Sequence, residues 1–184
     1  MSTFAAAFMV VFLAELGDKS QLLALAFATK YNWQLVMSAI FFSTLGNHFL
    51  AVLTGSLLGN LLEPRMMQIV ASLAFIGFGI WTIRGDELDE EEKKSGYNPF
   101  WTVAISFFLA EMGDKTQFAT ITMAAQYRDF LPVLLGTTLG MVAADGFGVI
   151  AGVVLHKRIP EKTVKWIAVI IFIGCGLAGL WLTI

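Results

Sequence analysis

A ten-residue segment occurs twice in the chain, 96 positions apart, and both copies lie inside long apolar stretches. Residues 12–21 read FLAELGDKSQ and residues 108–117 read FLAEMGDKTQ, so eight of ten positions are identical and the other two are conservative. A repeat of this kind predicts that one structural unit is built twice. Each unit must place a Glu and an Asp, three positions apart, in apolar surroundings.

The composition is that of a membrane protein, because 57% of the 184 residues are hydrophobic and only 14% are charged. Soluble domains carry about a quarter charged residues. Six apolar stretches are long enough to cross a bilayer, which takes roughly 20 helical residues. We therefore predict an all-α membrane protein with six transmembrane helices. The stretches cover residues 4–29, 33–62, 66–83, 100–126, 130–155 and 164–184.

The first apolar stretch is predicted to be a spanning helix and not a secretory signal peptide. Residues 1–14 contain no Lys or Arg, whereas a signal peptide begins with a positively charged region. The apolar run also continues past the charges at Glu15, Asp18 and Lys19 to Ala28.

Three spans per repeat determine how the two copies are related. Because three is an odd number, the second copy must enter from the opposite side of the bilayer, which gives the inverted repeats of many secondary transporters. We predict repeat 1 over residues 1–83, a linker over residues 84–98 and repeat 2 over residues 99–184. The linker contains six acidic residues and is interpreted as a solvated connection, with a cation-collecting or regulatory loop as the alternative.

The basic residues of the loops predict the orientation of the chain. Only Arg65 and Arg128 fall on one side of the predicted spans, whereas eight basic residues fall on the other. Since Lys and Arg concentrate in cytoplasmic loops, the linker is predicted to be cytoplasmic and both termini outside. The eight residues are Lys30, Arg84, Lys93, Lys94, Lys157, Arg158, Lys162 and Lys165.

The acidic residues of the repeated segment are the strongest candidates for function. Glu15 and Asp18 share one helix face because they are three positions apart, and Glu111 and Asp114 repeat the arrangement. A carboxylate at mid-bilayer costs at least a few kcal/mol, so four of them indicate a function. If the two motif helices meet at the midplane, the four carboxylates can face one cavity.

Oxygen ligands of this type suit the hard cations Ca²⁺, Mn²⁺ and Mg²⁺. Gln21 and Gln117 lie within two turns of the carboxylates and could add amide oxygens. Ser20 and Thr116 could add hydroxyls or bond the backbone. With one Cys and two His in the chain, Zn²⁺ and Cu⁺ are poor candidates. We predict no resident cofactor, and the divalent cation is the substrate.

Two residue types within the motif leave alternatives open. Gly17 and Gly113 either loosen the helix, which frees backbone carbonyls to line a cavity, or permit close helix packing. Lys19 and Lys115 each follow a Glu by four positions, a good pairing geometry. Each lysine either balances charge and competes with the metal, or forms a purely structural ion pair.

Proton coupling is predicted from the burial of the acids. A desolvated carboxylate beside another carboxylate holds a proton more readily than one in water. It can therefore take up a proton when the metal leaves. A site that alternates between a cation and protons follows the logic of an antiporter.

Three further polar residues fall in the middle of predicted spans: Asn47 and His48 in the second, and Asp145 in the fifth. Aligning Gly55 with Gly152 places His48 opposite Asp145. A packed, hydrogen-bonded polar pair is one interpretation, and a proton path or an outer shell of the cation site is the other.

The doubled motif Glu-x-Gly-Asp-Lys-Ser/Thr in a six-span chain resembles a family of cation exchangers. The family includes the Golgi calcium/manganese transporters of yeast and animals, chloroplast manganese transporters and bacterial manganese exporters. The resemblance covers nearly the whole chain. It implies that Glu15, Asp18, Glu111 and Asp114 are cation ligands and that Mn²⁺ or Ca²⁺ is transported against H⁺. A compact chain without a presequence is similar to the bacterial members, which implies export from the cytoplasm across a bacterial inner membrane.

Other functions are less well supported by the sequence. A passive divalent-cation channel could also use a ring of carboxylates, and an exporter of small organic solutes is a further alternative. An enzyme is not predicted, because the chain has no His-Glu-x-x-His run, nucleophile elbow or phosphate-binding loop. The net charge of −2 gives no argument for nucleic acid, so the predicted partners are the lipid bilayer and the metal.

Overall fold

A computed structural model describes residues 2–61, 63–84, 98–154 and 161–181. These residues form helices and no strands, which confirms the all-α prediction. Nearly all of the predicted acidic linker lies outside the described ranges. The helices are α1 (Thr3–Glu15), α2 (Lys19–Lys30), α3 (Trp33–Leu61), α4 (Pro64–Arg84), α5 (Pro99–Glu111), α6 (Lys115–Tyr127), α7 (Phe130–Val154) and α8 (Glu161–Trp181).

Two predicted spans are interrupted, so the described residues contain eight helices where six continuous ones were predicted. The predicted span 4–29 is divided into α1 and α2, and the span 100–126 into α5 and α6. In each, the first helix ends at the Glu of the motif and the second begins at the Lys. The other four predicted spans each contain a single helix.

Capping residues in the sequence explain where α1 and α5 begin. Ser2 caps α1 by accepting a hydrogen bond from the Ala5 N–H at 3.3 Å. Asn98 caps α5 by accepting one from the Phe100 N–H at 3.0 Å, and Pro99 occupies the first helical position. Caps of this kind satisfy backbone donors that a helix leaves without partners.

The apolar helices differ in whether they are long enough to cross a membrane. By length and composition, α3 and the Phe130–Ile150 part of α7 can each cross a membrane. The apolar helices α1 and α5 have 13 residues each and are therefore about 20 Å long, shorter than the bilayer core of about 30 Å. Each ends part of the way through the span that the sequence predicts, and its motif lies at that end.

Small residues let the helices approach closely. The most extensive contacts join α4 with α8, α1 with α7, and α3 with α6. A Cβ atom added at Gly140 would lie 2.5 Å from the Phe8 carbonyl oxygen, and one added at Gly55 would lie 2.2 Å from that of Ile121. Close approach at glycines is common between membrane helices.

Candidate cation site

Both copies of the motif form a helix break with the same backbone. The Asp18 N–H donates to the Glu15 carbonyl at 3.1 Å, and the Asp114 N–H donates to the Glu111 carbonyl at 3.2 Å. The glycine inside each turn has a positive φ, +78° in the first break and +83° in the second. Residues with a Cβ seldom adopt this conformation, so the role of the glycine in loosening the helix is confirmed.

The two glutamines of the motif close the breaks. Gln21 Oε1 accepts a hydrogen bond from the Gly17 N–H at 3.0 Å, and Gln117 Oε1 accepts one from the Gly113 N–H at 2.8 Å. Each amide oxygen therefore bonds a backbone donor that the break leaves without a helical partner. The role predicted for these oxygens as cation ligands stays a prediction.

Three carboxylates converge from the two copies. One oxygen from each of Glu15, Asp18 and Asp114 lies within 4.8 Å of the others, and all three side chains are buried. In the part of the chain that the structure describes, this is the one group of three side chains of metal-binding type. Oxygen ligands lie 2.3–2.6 Å from a Ca²⁺ ion, so these atoms are spaced closely enough to share one cation.

Glu111 occupies a different position from the other three acids. Its side chain is buried and lies close enough to Glu15 for their charges to interact. It is not part of the group whose oxygens lie within 4.8 Å of one another. The structure thus brings three of the four predicted acids together and places the fourth beside them.

Lys115 joins the two copies of the motif. Its buried ammonium group forms an ion pair with Asp18, and it lies close enough to Glu15 and Asp114 to interact with their charges. Spacing within one helix pointed to the Glu four positions earlier and missed this partner, which lies in the other copy. The side chain of Lys19 lies outside the described part of the structure.

The hydroxyl group of the first motif bonds a carboxylate. Ser20 is buried and donates a hydrogen bond to Glu15, which fixes one carboxylate oxygen. Thr116, at the equivalent position of the second motif, is also buried, and its hydroxyl has no hydrogen-bond partner among the described residues. The two predicted auxiliary hydroxyls therefore differ in their contacts.

Of the two interpretations of His48 and Asp145, the hydrogen-bonded pair is wrong. Both side chains are buried, His48 on α3 and Asp145 on α7. Among the described residues, neither Asp145 oxygen accepts a well-formed hydrogen bond and His48 Nδ1 has no partner. Asp145 instead lies beside Ser20 and close to Asp18. The alignment that relates His48 to Asp145 pairs equivalent positions of two repeats, which need not touch.

Asn47 contributes to the second break. Its Oδ1 accepts a hydrogen bond from Gln117 Nε2, and its Nδ2 donates to the Phe108 carbonyl at 3.5 Å. In the first break, Gln21 Nε2 donates instead to the Ala144 carbonyl on α7 at 2.8 Å. Position 144 is 97 residues after position 47, the same offset that relates His48 to Asp145. This offset is the sequence signal that Asn47 and Ala144 occupy equivalent positions beside the two breaks.

Comparison with known proteins identifies the family. The model of the family described as "Divalent cation/proton antiporter GDT1" matches residues 3–90 and 99–184. A Vibrio cholerae serotype O1 protein named "Putative manganese exporter" is 39% identical over 180 residues, which cover 97% of this chain and 90% of the relative.

More distant relatives are also similar over nearly the whole chain. A GDT1-like protein of Synechocystis is 28% identical over 98% of both chains, and GDT1-like protein 4 of Oryza sativa subsp. indica is 26% identical over 96% of this chain and 72% of its own length. No solved structure matches. These similarities lead to one conclusion: the chain belongs to the GDT1 family of divalent cation/proton antiporters, which are membrane transporters and not enzymes.

Proposed function

We propose that the protein exports Mn²⁺ from the cytoplasm in exchange for protons, and that Glu15, Asp18 and Asp114 bind the transported ion. The observation that carries the proposal is the group of three buried carboxylates, drawn from both helix breaks, whose oxygens lie within 4.8 Å of one another. Carboxylates that are buried this close to one another need a compensating cation. Glu111, beside Glu15, is proposed as the fourth acid of the site.

The name of one relative, and not the ligand set, favours Mn²⁺ over Ca²⁺. The group found here supplies three carboxylates, and carboxylate oxygens suit both ions. The name of the Vibrio cholerae relative specifies manganese and export, and we extend both to this chain.

Lys115 provides a means of exchanging the metal for other positive charges. In the structure it pairs with Asp18, one of the three proposed ligands. An arriving divalent cation competes with the ammonium group for that carboxylate. After the metal leaves, Lys115 and protons again neutralise the acids, so that the site never holds four bare carboxylates at once.

We also propose that the chain consists of two inverted repeats, residues 1–83 and 99–184, joined by a cytoplasmic linker. The helix contacts support a two-fold relation, because α1 packs on α7 as α5 packs on α3, and α2 packs on α7 as α6 packs on α3. The two segments matched by the family model have nearly the same bounds. The excess of basic residues on the linker side favours termini outside a bacterial inner membrane.

Transport into vesicles tests this function. The purified full-length protein is reconstituted into liposomes, and uptake of Mn²⁺ and of Ca²⁺ is measured with and without an imposed pH gradient. We expect the gradient to drive Mn²⁺ against its own concentration gradient, with protons moving the opposite way. Metal that only runs down its concentration gradient, whatever the pH difference, would identify a passive channel instead.

A further inference from the structure

Asn47 joins the two sides of the second helix break. It is almost completely buried on α3. Its side-chain oxygen accepts a hydrogen bond from Gln117, which follows the break, and its amide nitrogen donates to the Phe108 carbonyl, which precedes the break. Gln117 in turn accepts the Gly113 N–H, one residue before Asp114. A chain of hydrogen bonds thus runs from α3 to the backbone beside a proposed ligand.

The first break is held by a different chemical group. Gln21 accepts the Gly17 N–H as Gln117 accepts that of Gly113, but its amide nitrogen donates to the main-chain carbonyl of Ala144. A carbonyl within a helix is fixed by the helix itself. A side-chain amide can rotate about its χ angles. The hydrogen bond from the glutamine amide nitrogen therefore has a rigid main-chain acceptor in the first break, whereas its acceptor in the second break is a single side chain.

We propose that Asn47 is a positioning residue for Asp114 that acts through Gln117 and Gly113, and that it makes the second break the adjustable half of the cation site. This inference rests on the proposed function only in taking Asp114 as a ligand. It assigns to Asn47 a contact with the backbone of the break and not with the ion. Loss of Asn47 should therefore disturb one break and leave the other unchanged.

Amide hydrogen exchange and metal binding test the proposal in the full-length protein in lipid nanodiscs. In Asn47→Ala, we expect faster exchange in the peptide that contains Gly113 and no change in the peptide that contains Gly17. Mn²⁺ affinity should fall about five- to tenfold, as the loss of a hydrogen bond predicts. The matched control is Thr44→Val, which removes a buried hydroxyl that has no partner among the described residues, one turn earlier on α3; it should change neither quantity.

A double-mutant cycle shows whether Asn47 acts through Gln117. If it does, Asn47→Ala should weaken Mn²⁺ binding no further in a Gln117→Ala background, because the connection is already lost. Additive effects, wild-type affinity in Asn47→Ala, or equal increases in exchange at both breaks would each overturn the proposal.

A second variant and a measurement without metal ensure that every outcome tests the proposal. Asn47→Asp retains the oxygen that Gln117 bonds, loses only the donation to the Phe108 carbonyl and creates no cavity, so it serves if the alanine variant fails to fold. Exchange at Gly113 should stay well below that of Gln117→Ala, and exchange as fast as in Gln117→Ala would refute the proposal. Exchange is measured without metal. A wild-type protein that binds neither Mn²⁺ nor Ca²⁺ would thus contradict the proposed function while the exchange data still test the role of Asn47.

Discussion

Lys115 of the second motif forms an ion pair with Asp18 of the first. This contact makes the two copies of the repeat electrostatically dependent on each other, because a cation from one half neutralises an acid from the other. Both groups are buried, where removal of either partner leaves an uncompensated charge. The site is therefore a product of both repeats, and neither repeat alone contains it.

The ion pair leads to a prediction about Lys115. Lys115→Met removes the competitor for Asp18, so we expect Mn²⁺ to bind at least as tightly as in the wild type and to be released more slowly. Binding is measured by titration and release by the rate of Mn²⁺ efflux from loaded liposomes.

The double variant Asp18→Asn with Lys115→Met separates this role from a structural one. It removes both charges, so folding should survive while transport stays low because a ligand is missing. Recovery of normal transport in the double variant would mean that the pair is only structural and that Asp18 does not bind the metal.

The four acids should differ in their effect on metal affinity. Changing Glu15, Asp18 or Asp114 to its amide preserves shape and removes one charge from the group that lies within 4.8 Å, so Mn²⁺ affinity should fall by at least about tenfold. Glu111→Gln should weaken binding less, because Glu111 lies outside that group. Titration of the purified variants checks this order, and a larger loss for Glu111→Gln than for Asp114→Asn would contradict it.

The sequence predicted that the motif acids lie together, which holds for three of the four, but it did not predict their contacts, and their role as cation ligands stays a prediction. Repetition of the motif and the cost of buried charge were enough to select Glu15, Asp18 and Asp114, which do converge. The pairing of Lys115 with Asp18 could not be predicted from spacing along one helix, since it depends on how α1 and α6 pack. The hydrogen bonds of the motif glutamines to backbone N–H groups could not be predicted either, because those N–H groups are available only where the helix breaks.

The backbone of the breaks gives a prediction about Gly113. A Cβ at Gly113 would meet no atom within 4 Å, so only its φ of +83° opposes a side chain. Gly113→Ala should destabilise the protein by about 1–2 kcal/mol and reduce transport.

Gly77 in α4 is the matched control, because a Cβ there also meets nothing within 4 Å and no positive φ is involved. Gly77→Ala should be neutral or stabilise the protein by about 0.5–1 kcal/mol. Thermal unfolding of the two variants in the same detergent makes the comparison. Equal unfolding temperatures would show that the positive φ does not restrict position 113.

Asp145 gives a prediction about stability. It is completely buried, and its oxygens accept no well-formed hydrogen bond from the described residues, since the neighbouring Ser20 donates to Glu15. A buried carboxylate in this situation opposes folding. Asp145→Asn should therefore leave the free energy of unfolding unchanged or raise it by about 1–3 kcal/mol. A clear drop in the unfolding temperature would indicate that the carboxylate has a stabilising partner.

The concentration of basic residues on the linker side gives a prediction about the orientation of the chain. Cys175 is the only cysteine, so a Cys175→Ala background allows one new cysteine to be placed at position 95 of the linker and another, in a separate variant, at position 63, between α3 and α4. An impermeant thiol reagent added to intact cells should label position 63 and leave position 95 unlabelled until the membrane is opened. Labelling of the linker in intact cells would reverse the proposed topology. The labelling result bears on topology alone, because protons that enter the cell down their gradient drive the metal outwards through an antiporter in either orientation.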